Sequence, residues 1–537
     1  MNRLSRILVP VAAMATIALS IPTMANATDY CVQTSCGGTN LNDLQAALDE
    51  AKKSTDADRI FLGAGDYMAP SNFGFRYDST GPVEIIGTGQ NNTVLTAPLG
   101  ATAVLNLNGG VGSSVHDLAI AIPKYSNGDG LYTRNAARRI YVGEAVEQSH
   151  GRDGVKLFSN GMLEDSEVRL ARETNATAVE LGPGGGTVRR SVVSAGTGVM
   201  SRYGDGTIES SLVTGLDFGV RALANVTTVR SSRIHLASTN GTGIRADTQS
   251  ASTTVNADGV TVTAADVPDV VGVSATTALA PTQNARVKLT NSILRVGGKA
   301  LSAESTDKGE ATVAASYSDY DPGFNKSIGA AASISEANVS NLGDTGFVAP
   351  EYNNYRLLPT SELVDAGDPA AAQGVDLDGD PLVADGNGDG IARRDIGAFE
   401  LQPAKSGGQP GGTGAADTVA PVIRGFSATR TVFTVARAST PLAARASDGT
   451  RLRYTLSERA RVTVAIQRAV KRGGHVHFRT VGSLRRAGAQ GANTIRFSGR
   501  IGKRALRPGR YRALIRATDA AGNRSQPRTV GLRIKRF

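Results

Sequence analysis

The stretch GTGVMSRYGDGTIESSLVTGLDFGVRA, residues 196–222, decides the fold because it contains one full repeat of a pattern that runs through residues 128–303. Each repeat opens with a strand marked by a glycine, at a period of about 20 to 29 residues. The markers are Gly130, Gly154, Gly198, Gly219, Gly243 and Gly272, with Ala178 in one slot. A second strand follows around a polar turn, with Ser166, Ser191, Ser211, Ser232 and Ser292 in one register. Two markers that keep one spacing predict a parallel β-solenoid in which each repeat forms one coil.

A short amphipathic helix is predicted before the repeats. Its apolar residues recur at helical spacing after Asn40, the expected N-cap: Leu41, Leu44, Ala47, Leu48 and Ala51. A first coil would otherwise leave strand edges and an apolar interior open to water, so we expect this helix to cap the solenoid.

The stretch 41–95, the segment SVHDLAI at 114–120 and the coils together resemble the right-handed parallel β-helix proteins of the pectin-lyase-like superfamily. The resemblance covers residues 38–345. It implies three parallel sheets, apolar side chains stacked inward and an N-terminal helical cap. It leaves the function open, because this architecture hosts lyases, hydrolases, esterases, adhesins and phage spikes.

Beyond residue 319 the pattern changes. The pieces DPGF at 321–324, NYRLLP at 354–359, VDAGD at 364–368, DLDG at 376–379 and RDIGAFE at 394–400 follow one another. Their order and wording resemble the C-terminal segment of exported bacterial β-helix proteins that carries a choice-of-anchor Q region. The sequence shows no sorting motif or apolar tail after this segment, so we do not expect covalent anchoring.

The first 27 residues are predicted to be an export signal. Two arginines precede an apolar stretch at 7–19, and the small-residue pattern ANA at 25–27 predicts cleavage after Ala27. No apolar run is long enough for a transmembrane span. We therefore expect a secreted or cell-surface protein, in which Cys31 and Cys36 form a local disulfide rather than part of a metal site.

The net charge of +10 hides an asymmetry between the two parts of the chain. Of 58 Lys/Arg and 48 Asp/Glu, 27 and 4 lie from Asp417 onward, so that part carries about +23 and residues 1–416 about −13. Because an export signal is predicted, the expected partner is a polysaccharide or an anionic cell-envelope polymer, and nucleic acid is not expected. The oligomeric state is unknown from the sequence.

Residues 402–416 form a Gly/Pro-rich linker, and alternating strands follow it. The pieces DTVAP at 417–421 and TDAAGNRS at 518–525 resemble bacterial extracellular immunoglobulin-like or fibronectin-III-like modules, and the absence of cysteine there excludes a disulfide-stapled core. The predicted fold class is all-β: a right-handed parallel β-helix with a capping helix, and a C-terminal β-sandwich. The predicted segments are a signal at 1–27, the β-helix at 28–345, its irregular C-terminal segment at 346–401, the linker at 402–416 and a basic sandwich at 417–537.

The acidic loop DGNGDG at 385–390 is the one candidate metal site, with Asp385, Asn387 and Asp389 as calcium ligands. Asp376, Asp378 and Asp380 are neighbouring candidates. The twelfth-position Glu of such a loop is missing, because Ile396 stands there. The alternative is a turn cluster of Gly, Asn and Asp, and no other cofactor is expected.

Outward-facing candidates for catalysis lie beside both marked strands. They are Asp129, Asp153, Lys156, Glu180, Arg221 and Arg245 beside the glycine strand, and Glu164, Asp165 and Glu209 beside the serine strand. The paired-aspartate and Gly-His-Gly motifs of polygalacturonases and the Trp-x-Asp-His motif of pectate lyases are missing, and the chain has no Trp to stack on sugars. A structural role is therefore the favoured interpretation, and no residue is assigned as catalytic.

The five histidines are interpreted in two ways. His116, His150 and His235 are scattered over different coils, which favours structural roles, whereas His475 and His477 share one face of a strand and could chelate.

The favoured function is a non-catalytic surface or adhesion protein that binds extracellular polymers. Its binding face is expected at extra loops near 247–267 and 276–283. Basic residues of the final domain could contact phosphate or carboxylate groups: Arg485, Arg486, Lys503, Arg504, Arg507, Arg510, Arg512 and Arg516. The alternative is that these strands simply expose alternate polar residues. The alternative function is a polysaccharide lyase or glycoside hydrolase, which would require carboxylates and a basic residue to converge on neighbouring coils.

Overall fold

The computed structural model describes residues 27–123, 128–144, 153–170, 175–249, 251–264, 267–278, 280, 282–306, 308–343, 345–350, 353–370, 373–403, 420–435, 449–458, 460–472, 475–488, 491–501, 504–518 and 523–535. The predicted signal at 1–27 lies outside these residues except for Ala27, and so does most of the linker at 402–416. The chain divides into two compact units, Met1–Ser406 and Gly407–Phe537.

The first unit is a parallel β-solenoid with three sheets, which shows the β-helix fold predicted from the repeats. Each regular coil contributes one strand to sheet 1, then one to sheet 2 and, after a turn, one to sheet 3. The coil at 153–169 shows this order in Asp153–Leu157, Gly161–Glu164 and Glu167–Arg169. The hand of the coil stays a prediction.

The strands of each sheet follow one another along the stack. Sheet 1 contains Phe75–Tyr77, Ala103–Leu107, Asp129–Thr133, Asp153–Leu157, Thr177–Leu181, Thr197–Ser201, Phe218–Ala222, Thr242–Asp247, Val271–Thr276, Lys299–Glu304 and Lys326–Ile328. Sheet 2 contains Thr39–Leu41, Asp29–Val32, Asp58–Leu62, Val83–Ile86, Ser114–His116, Ala136–Arg138, Gly161–Glu164, Gly186–Arg189, Gly206–Glu209, Ala285–Thr290, Ala311–Ser316 and Ala332–Ala337. Sheet 3 contains Gly65–Met68, Thr93–Thr96, Ala119–Ile122, Tyr141–Glu144, Glu167–Arg169, Val192–Ser194, Leu212–Gly215 and Ile293–Arg295. The long strands Asn225–Leu236 and Thr253–Thr263 belong to both sheet 2 and sheet 3.

The marker glycines lie where the solenoid is narrowest. A Cβ atom at Gly219 would come within 2.2 Å of Ile234 Cγ2, and one at Gly243 within 2.5 Å of Val262 Cγ1. The side chains of sheet 3 therefore reach the backbone of sheet 1 within the same coil. The repeat requires glycine there because of this close approach.

The serine register is a hydrogen-bonded column at the turn between sheets 2 and 3. Ser191 donates through Oγ to the Arg189 carbonyl at 2.8 Å, and the same Oγ accepts from the amide of Ser166 at 3.2 Å. Ser166, Ser211, Ser232, Ser292 and Ser318 repeat this donation to the carbonyl two residues earlier. The residue before each turn serine is often in the left-handed region, as at Arg190 with φ 46°. Buried hydroxyl groups thus satisfy the turn amides of successive coils.

The helix Leu44–Ala51 buries Leu44, Ala47, Leu48 and Ala51, the apolar face predicted from the sequence. The predicted N-cap was wrong: Asp43 caps the helix, and its side chain accepts from the amide of Ala46 at 2.8 Å, whereas Asn40 lies in the strand Thr39–Leu41. Local spacing did not reveal that strand. The function of the helix as a cap stays a prediction. Cys31 and Cys36 are joined by a disulfide, with Cα atoms 5.7 Å apart.

After the strand Ala332–Ala337, the described residues of the first unit have little regular structure apart from the antiparallel pair Phe347–Ala349 and Asn354–Leu357. A 3₁₀ turn, Pro322–Phe324, precedes the last strands of the coils. Arg394 attaches the segment that follows Ala337 to the coils. Its guanidinium is fully buried and donates from Nη1 to Asp258 Oδ2 at 2.8 Å. A Cβ atom at Gly259 would lie 1.9 Å from Arg394 Nη2, so glycine leaves the space for this side chain.

The described part of the second unit contains two main sheets, in which all strand pairs are antiparallel except Val432–Thr434 with Arg528–Lys535. One has the strands Ile423–Ala428, Thr450–Leu456 and Gly491–Phe497, and the other has Val432–Thr434, Arg528–Lys535, Gly509–Thr518, Ala460–Arg472 and His475–Gly488. A small pair, Arg500–Ile501 and Arg504–Ala505, completes the described strands. Leu452 and Phe497 from one sheet share an apolar cluster with Val464 and Ile515 from the other. The β-sandwich stays a prediction that this shared cluster supports.

The expected loop near 247–267 was wrong in its main part, because Thr253–Thr263 is a continuous strand. The extra residues of this coil lie on either side of that strand. No helix among the described residues is long and apolar enough to cross a membrane.

Candidate active site

Sheet 1 presents one row of outward side chains along consecutive coils. Backbone pairing puts Tyr132 beside Lys156, Lys156 beside Glu180, Glu180 beside Met200, Met200 beside Arg221 and Arg221 beside Arg245. Parallel strands lie about 4.8 Å apart. The row therefore places an aromatic ring, an ammonium, a carboxyl group and two guanidinium groups on one face at coil spacing.

Two side chains of this row, Lys156 and Glu180, form an acid–base cluster with Asp129 and Asp153. The ammonium of Lys156 lies 3.0 Å from Asp153 Oδ2 and 3.4 Å from Asp129 Oδ2. Asp153 also lies close enough to Glu180 for its negative charge to act on that carboxyl group. Arg202 approaches the other side of Glu180, with Nε 3.5 Å from Oε2.

The cluster is only partly accessible to water, which shifts its protonation equilibria. Burial raises the pKa of Glu180, and the negative charge of Asp153 raises it further. Burial likewise raises the pKa of Asp129, against the opposing effect of Lys156. Burial acts to lower the pKa of Lys156, but Asp153, Asp129 and Glu180 outweigh it, so the pKa of Lys156 is raised. Lys156 is therefore a fixed positive charge, and Glu180, like Asp129, is suited to carry a proton because its pKa is raised.

An aromatic pair borders the cluster. The rings of Tyr132 and Phe158 are 4.4 Å apart between centroids, at 33°. Tyr132 precedes Lys156 in the row, and Phe158 follows the strand that carries it. Aromatic faces of this kind can pack against the C–H groups of a sugar ring. A concavity of about 480 Å³ begins close by at Asn160 and continues past Tyr203 and Asp205.

The two arginines of the row are fixed by one buried carboxylate. Arg221 donates from Nε to Asp247 Oδ2 at 2.8 Å, and Arg245 donates from Nε to Asp247 Oδ1 at 3.0 Å. Both guanidinium groups also lie over the ring of Phe218, at 4.6 and 5.6 Å. The two guanidinium groups and the one carboxylate together carry one net positive charge, which could bind an anionic group of a ligand.

The other predicted outward residues do not join this cluster. Glu164 accepts from Arg138 at 3.0 Å and from Arg189 at 2.6 Å on the outer side of sheet 2. Burial would raise the pKa of Glu164, but these arginines lower it, so Glu164 is an ionised partner in a charge ladder. Asp165 pairs with Arg190 at 2.8 Å. Glu209 belongs to the same sheet 2 register.

The two histidines described in the coils, His116 and His235, contact different residues, and chelation by His475 and His477 stays a prediction. His116 lies between Asp117 and Glu84, with ring nitrogens 2.8 and 2.9 Å from their carboxylates. His235 Nδ1 lies 3.1 Å from Thr263 Oγ1. His150 and the side chain of His475 lie outside the described residues, and His477 is exposed.

The acidic loop at 385–390 is a series of turns closed by its own side chains. Asp385 accepts from the amides of Gly388 and Gly390 at 2.7 and 3.0 Å, while Asn387 accepts from the amide of Asp389 at 2.8 Å. Hydrogen bonds of this kind are typical of a cluster of turns. Calcium binding by Asp385, Asn387 and Asp389 stays a prediction. Separately, carboxylate oxygens of Asp376, Asp378 and Asp380 lie within 4.8 Å of one another.

Sequence reasoning did not single out the three buried carboxyl groups Asp365, Asp395 and Glu400. Burial raises the pKa of Asp395 to about 7 and the pKa of Glu400 to about 9. Backbone amides occupy their oxygens: Asp365 and Leu401 donate to Asp395, at 2.8 and 2.6 Å. The group holds the loops of the C-terminal segment together.

Comparison with protein-family models gives no match, and comparison with curated proteins gives none either. Solved structures give distant similarities. The mannuronan C-5 epimerase AlgE6 A-module of Azotobacter vinelandii is 16% identical, with a TM-score of 0.34, over 56% of this chain and 94% of that one. The AlgE4 A-module of the same organism is 13% identical, with a TM-score of 0.32, over 55% of this chain and 91% of that one. Pectin methylesterase from Aspergillus niger is 10% identical, with a TM-score of 0.24, over 59% and 86%. At this similarity they carry no conclusion about the activity, substrate or catalytic residues of this chain.

Proposed function

We propose that the solenoid is a carbohydrate-active enzyme that acts on an acidic polysaccharide at the acid–base cluster of sheet 1. The observation that carries the proposal is the convergence of Asp129, Asp153 and Glu180 from three consecutive coils around Lys156. Carboxylates and a basic residue that meet on neighbouring coils are the arrangement expected of the enzyme alternative.

The cluster supplies an acid and a base side by side. Glu180, with its raised pKa, would donate a proton to the glycosidic oxygen as the bond breaks. Asp153, which lies next to Glu180, would act as the base on a sugar C–H, so that the glycosidic bond breaks by elimination. Lys156 would hold the negative charge of Asp129 and Asp153 in place.

The substrate class follows from the charges further along the row. Arg221 and Arg245 carry more positive charge than Asp247 neutralises, two and three coils beyond Glu180. A chain of sugars laid along the stack would bring its carboxylates to these guanidinium groups. The aromatic pair Tyr132 and Phe158 would contact the sugar at the opposite end of the row.

The test is a polysaccharide panel that includes polygalacturonate, alginate and neutral glucans, with reducing ends and unsaturated products as the readouts. Elimination gives both signals and hydrolysis gives reducing ends alone. We expect product from an acidic polymer, its loss in Glu180→Gln and in Asp153→Asn, and its retention in Glu209→Gln, the matched control on sheet 2. Absence of product from every polymer would overturn the proposal.

A non-catalytic binding role is the second candidate. The observation that favours it is that Lys156 is already paired with two carboxylates, as in a structural ion cluster. Binding of a polymer without any product, unaffected by Glu180→Gln, would support this role.

We also propose that the chain is an exported, secreted or cell-surface protein of the pectin-lyase-like superfamily. The predicted signal at 1–27, the disulfide between Cys31 and Cys36 and the parallel solenoid support this. The choice-of-anchor Q segment at 346–401, the linker at 402–416 and the immunoglobulin-like sandwich at 417–537 belong to the same proposal. N-terminal sequencing of the exported protein tests cleavage after Ala27.

A further inference from the structure

The outer face of the five-stranded sheet in the second unit carries a stripe of arginines. The stripe consists of Arg461, Arg510, Arg512, Arg516 and Arg533. Along the strand Gly509–Thr518, Arg510, Arg512 and Arg516 point outward with Leu514 between the last two. The residues that alternate with these four are buried: Tyr511, Ala513, Ile515 and Ala517. Pairing places Arg533 directly opposite Arg510, and Arg461 opposite Thr518 on the same face.

This arrangement is unfavourable for the sheet taken alone. Like charges directly opposite each other on neighbouring strands are destabilising. No hydrogen bond or ion pair links the guanidinium groups of Arg461, Arg510, Arg516 or Arg533 to other described residues. Within the described part of this unit, Glu458 is the one acidic residue, and it lies outside the five strands. A face that breaks a local rule, with no compensating charge among the described residues of its five strands, points to a ligand that supplies the opposite charge.

The shape of the stripe selects a polymer over a small anion. Arg510 and Arg516 are six residues apart on one strand, which corresponds to about 20 Å. Arg512 lies between them and is held in place, since Nε donates to Gln467 Oε1 at 2.6 Å and the guanidinium lies 4.0 Å from the ring centre of Phe478. Planar guanidinium groups spread over this length can pair with successive carboxylates of a linear chain.

The same contact argues against nucleic acid. Proteins that bind single strands combine positive grooves with free aromatic faces on which bases stack. Arg512 lies over one face of the Phe478 ring, which is 38% exposed, and Tyr511 is buried on the other side of the sheet. The stripe therefore offers one partly occupied ring and not a series of free aromatic faces on which successive bases could stack.

We propose that this stripe is a binding surface for a linear carboxylated polysaccharide. It goes beyond the proposed function because it does not need the acid–base cluster. The full chain would then hold an acidic polymer through its second unit whether or not its first unit turns that polymer over.

The experiment measures binding of the full-length chain to polygalacturonate and to alginate across a range of salt concentrations. The Glu180→Gln change is present in every protein so that the probe is not consumed. The test variant is Arg510→Gln/Arg516→Gln/Arg533→Gln. The control, Arg424→Gln/Arg453→Gln/Arg524→Gln, removes the same charge from exposed positions outside the stripe.

We expect the test variant to bind about tenfold more weakly at moderate salt, and with a flatter salt dependence, because three exposed ion pairs are lost. The control should change affinity by less than about twofold, since only long-range charge is lost. The melting temperature of the test variant should stay the same or rise, because repulsion between Arg510 and Arg533 is relieved.

Equal losses in the test and control variants would overturn the proposal in favour of non-specific charge attraction. Unchanged binding by the test variant would overturn it outright. Single- or double-stranded DNA bound more tightly than either polyuronate, and lost with the same arginines, would assign the stripe to nucleic acid. A further assay uses a short oligosaccharide and the chain that carries the three stripe substitutions but keeps Glu180. Turnover in this assay tests the acid–base cluster of the first unit, whereas the binding assay tests the stripe, so the two proposals can fail independently.

Discussion

Replacing Lys156 with Met keeps the aliphatic stem of the side chain and removes the charge between Asp129 and Asp153. Breaking a fully buried ion pair costs about 3–5 kcal/mol. The side chains here retain 21%, 12% and 11% exposure, so water recovers part of the loss. We expect Lys156→Met to reduce the free energy of unfolding of the first unit by about 2–3 kcal/mol at pH 7.

The stability loss caused by Lys156→Met should depend on pH. The pKa of Asp129 is already raised by burial, and loss of Lys156 removes the charge that opposes this rise. A carboxyl group with a folded pKa above its unfolded value is destabilising above the unfolded pKa, and the penalty disappears once the group is protonated. The loss caused by Lys156→Met should therefore shrink as pH falls from 7 to about 4.

Urea unfolding followed by circular dichroism measures the change, and hydrogen exchange of the sheet 1 strands assigns the transition to the first unit. Lys288→Met, at an exposed position on sheet 2, is the control and should cost less than about 0.5 kcal/mol. Adding Asp129→Asn and Asp153→Asn to Lys156→Met should restore most of the stability. A loss below about 0.5 kcal/mol at pH 7, or an equal loss at both pH values, would refute the reasoning.

Three further outcomes are expected. Gly219→Ala should destabilise the first unit by about 1–3 kcal/mol in urea unfolding, because the new Cβ would meet Ile234 Cγ2 at 2.2 Å; unchanged stability would contradict the close approach. Burial raises the pKa of Asp395 to about 7, so the stability of its segment should fall as the pH rises from about 4 to about 7. Asp395→Asn should flatten that slope in pH-resolved hydrogen exchange. An equal slope in both proteins would count against this prediction. Calcium titration calorimetry should give heat with the parent chain and none with Asp385→Ala/Asp389→Ala if the loop is a metal site, and no heat from either protein would dismiss that site.

The solenoid could be predicted because its constraints repeat. The positions of Gly219 and Gly243 follow from the narrow interior, and those of Ser191 and Ser211 from a turn that recurs in each coil. Each coil restates the same steric and hydrogen-bonding requirement, so one sequence contains several copies of the signal.

Features set by a single contact were harder to predict. Asn40 is a residue type that often caps helices, but it lies in a strand paired with Asp29–Val32, and Asp43 caps the helix. The long strand Thr253–Thr263 replaces an expected loop because it pairs along almost its whole length with Asn225–Leu236. Gly259 makes the same left-handed turn as Ser231 in that strand, and its missing side chain leaves a space. Arg394 enters that space from far along the chain, and no local pattern contains this contact.

Part of the candidate site could be predicted from the sequence. Asp129, Asp153, Lys156 and Glu180 were identifiable as outward residues, but known enzyme motifs and the lack of Trp favoured a structural interpretation. Tyr132 and Phe158 were missed, although Tyr132 occupies the same strand position as Lys156. Reading that position across all coils, rather than searching for motifs, would have shown the row.

The most direct test of the proposed function compares product formation from an acidic polysaccharide by the parent chain and by Glu180→Gln, over a range of pH. The account predicts product from the parent chain, and a loss of about 10²-fold or more in Glu180→Gln, because a positioned general acid contributes at least that factor. A parent chain that releases no product from any acidic polymer, or a Glu180→Gln variant as active as the parent, would contradict it.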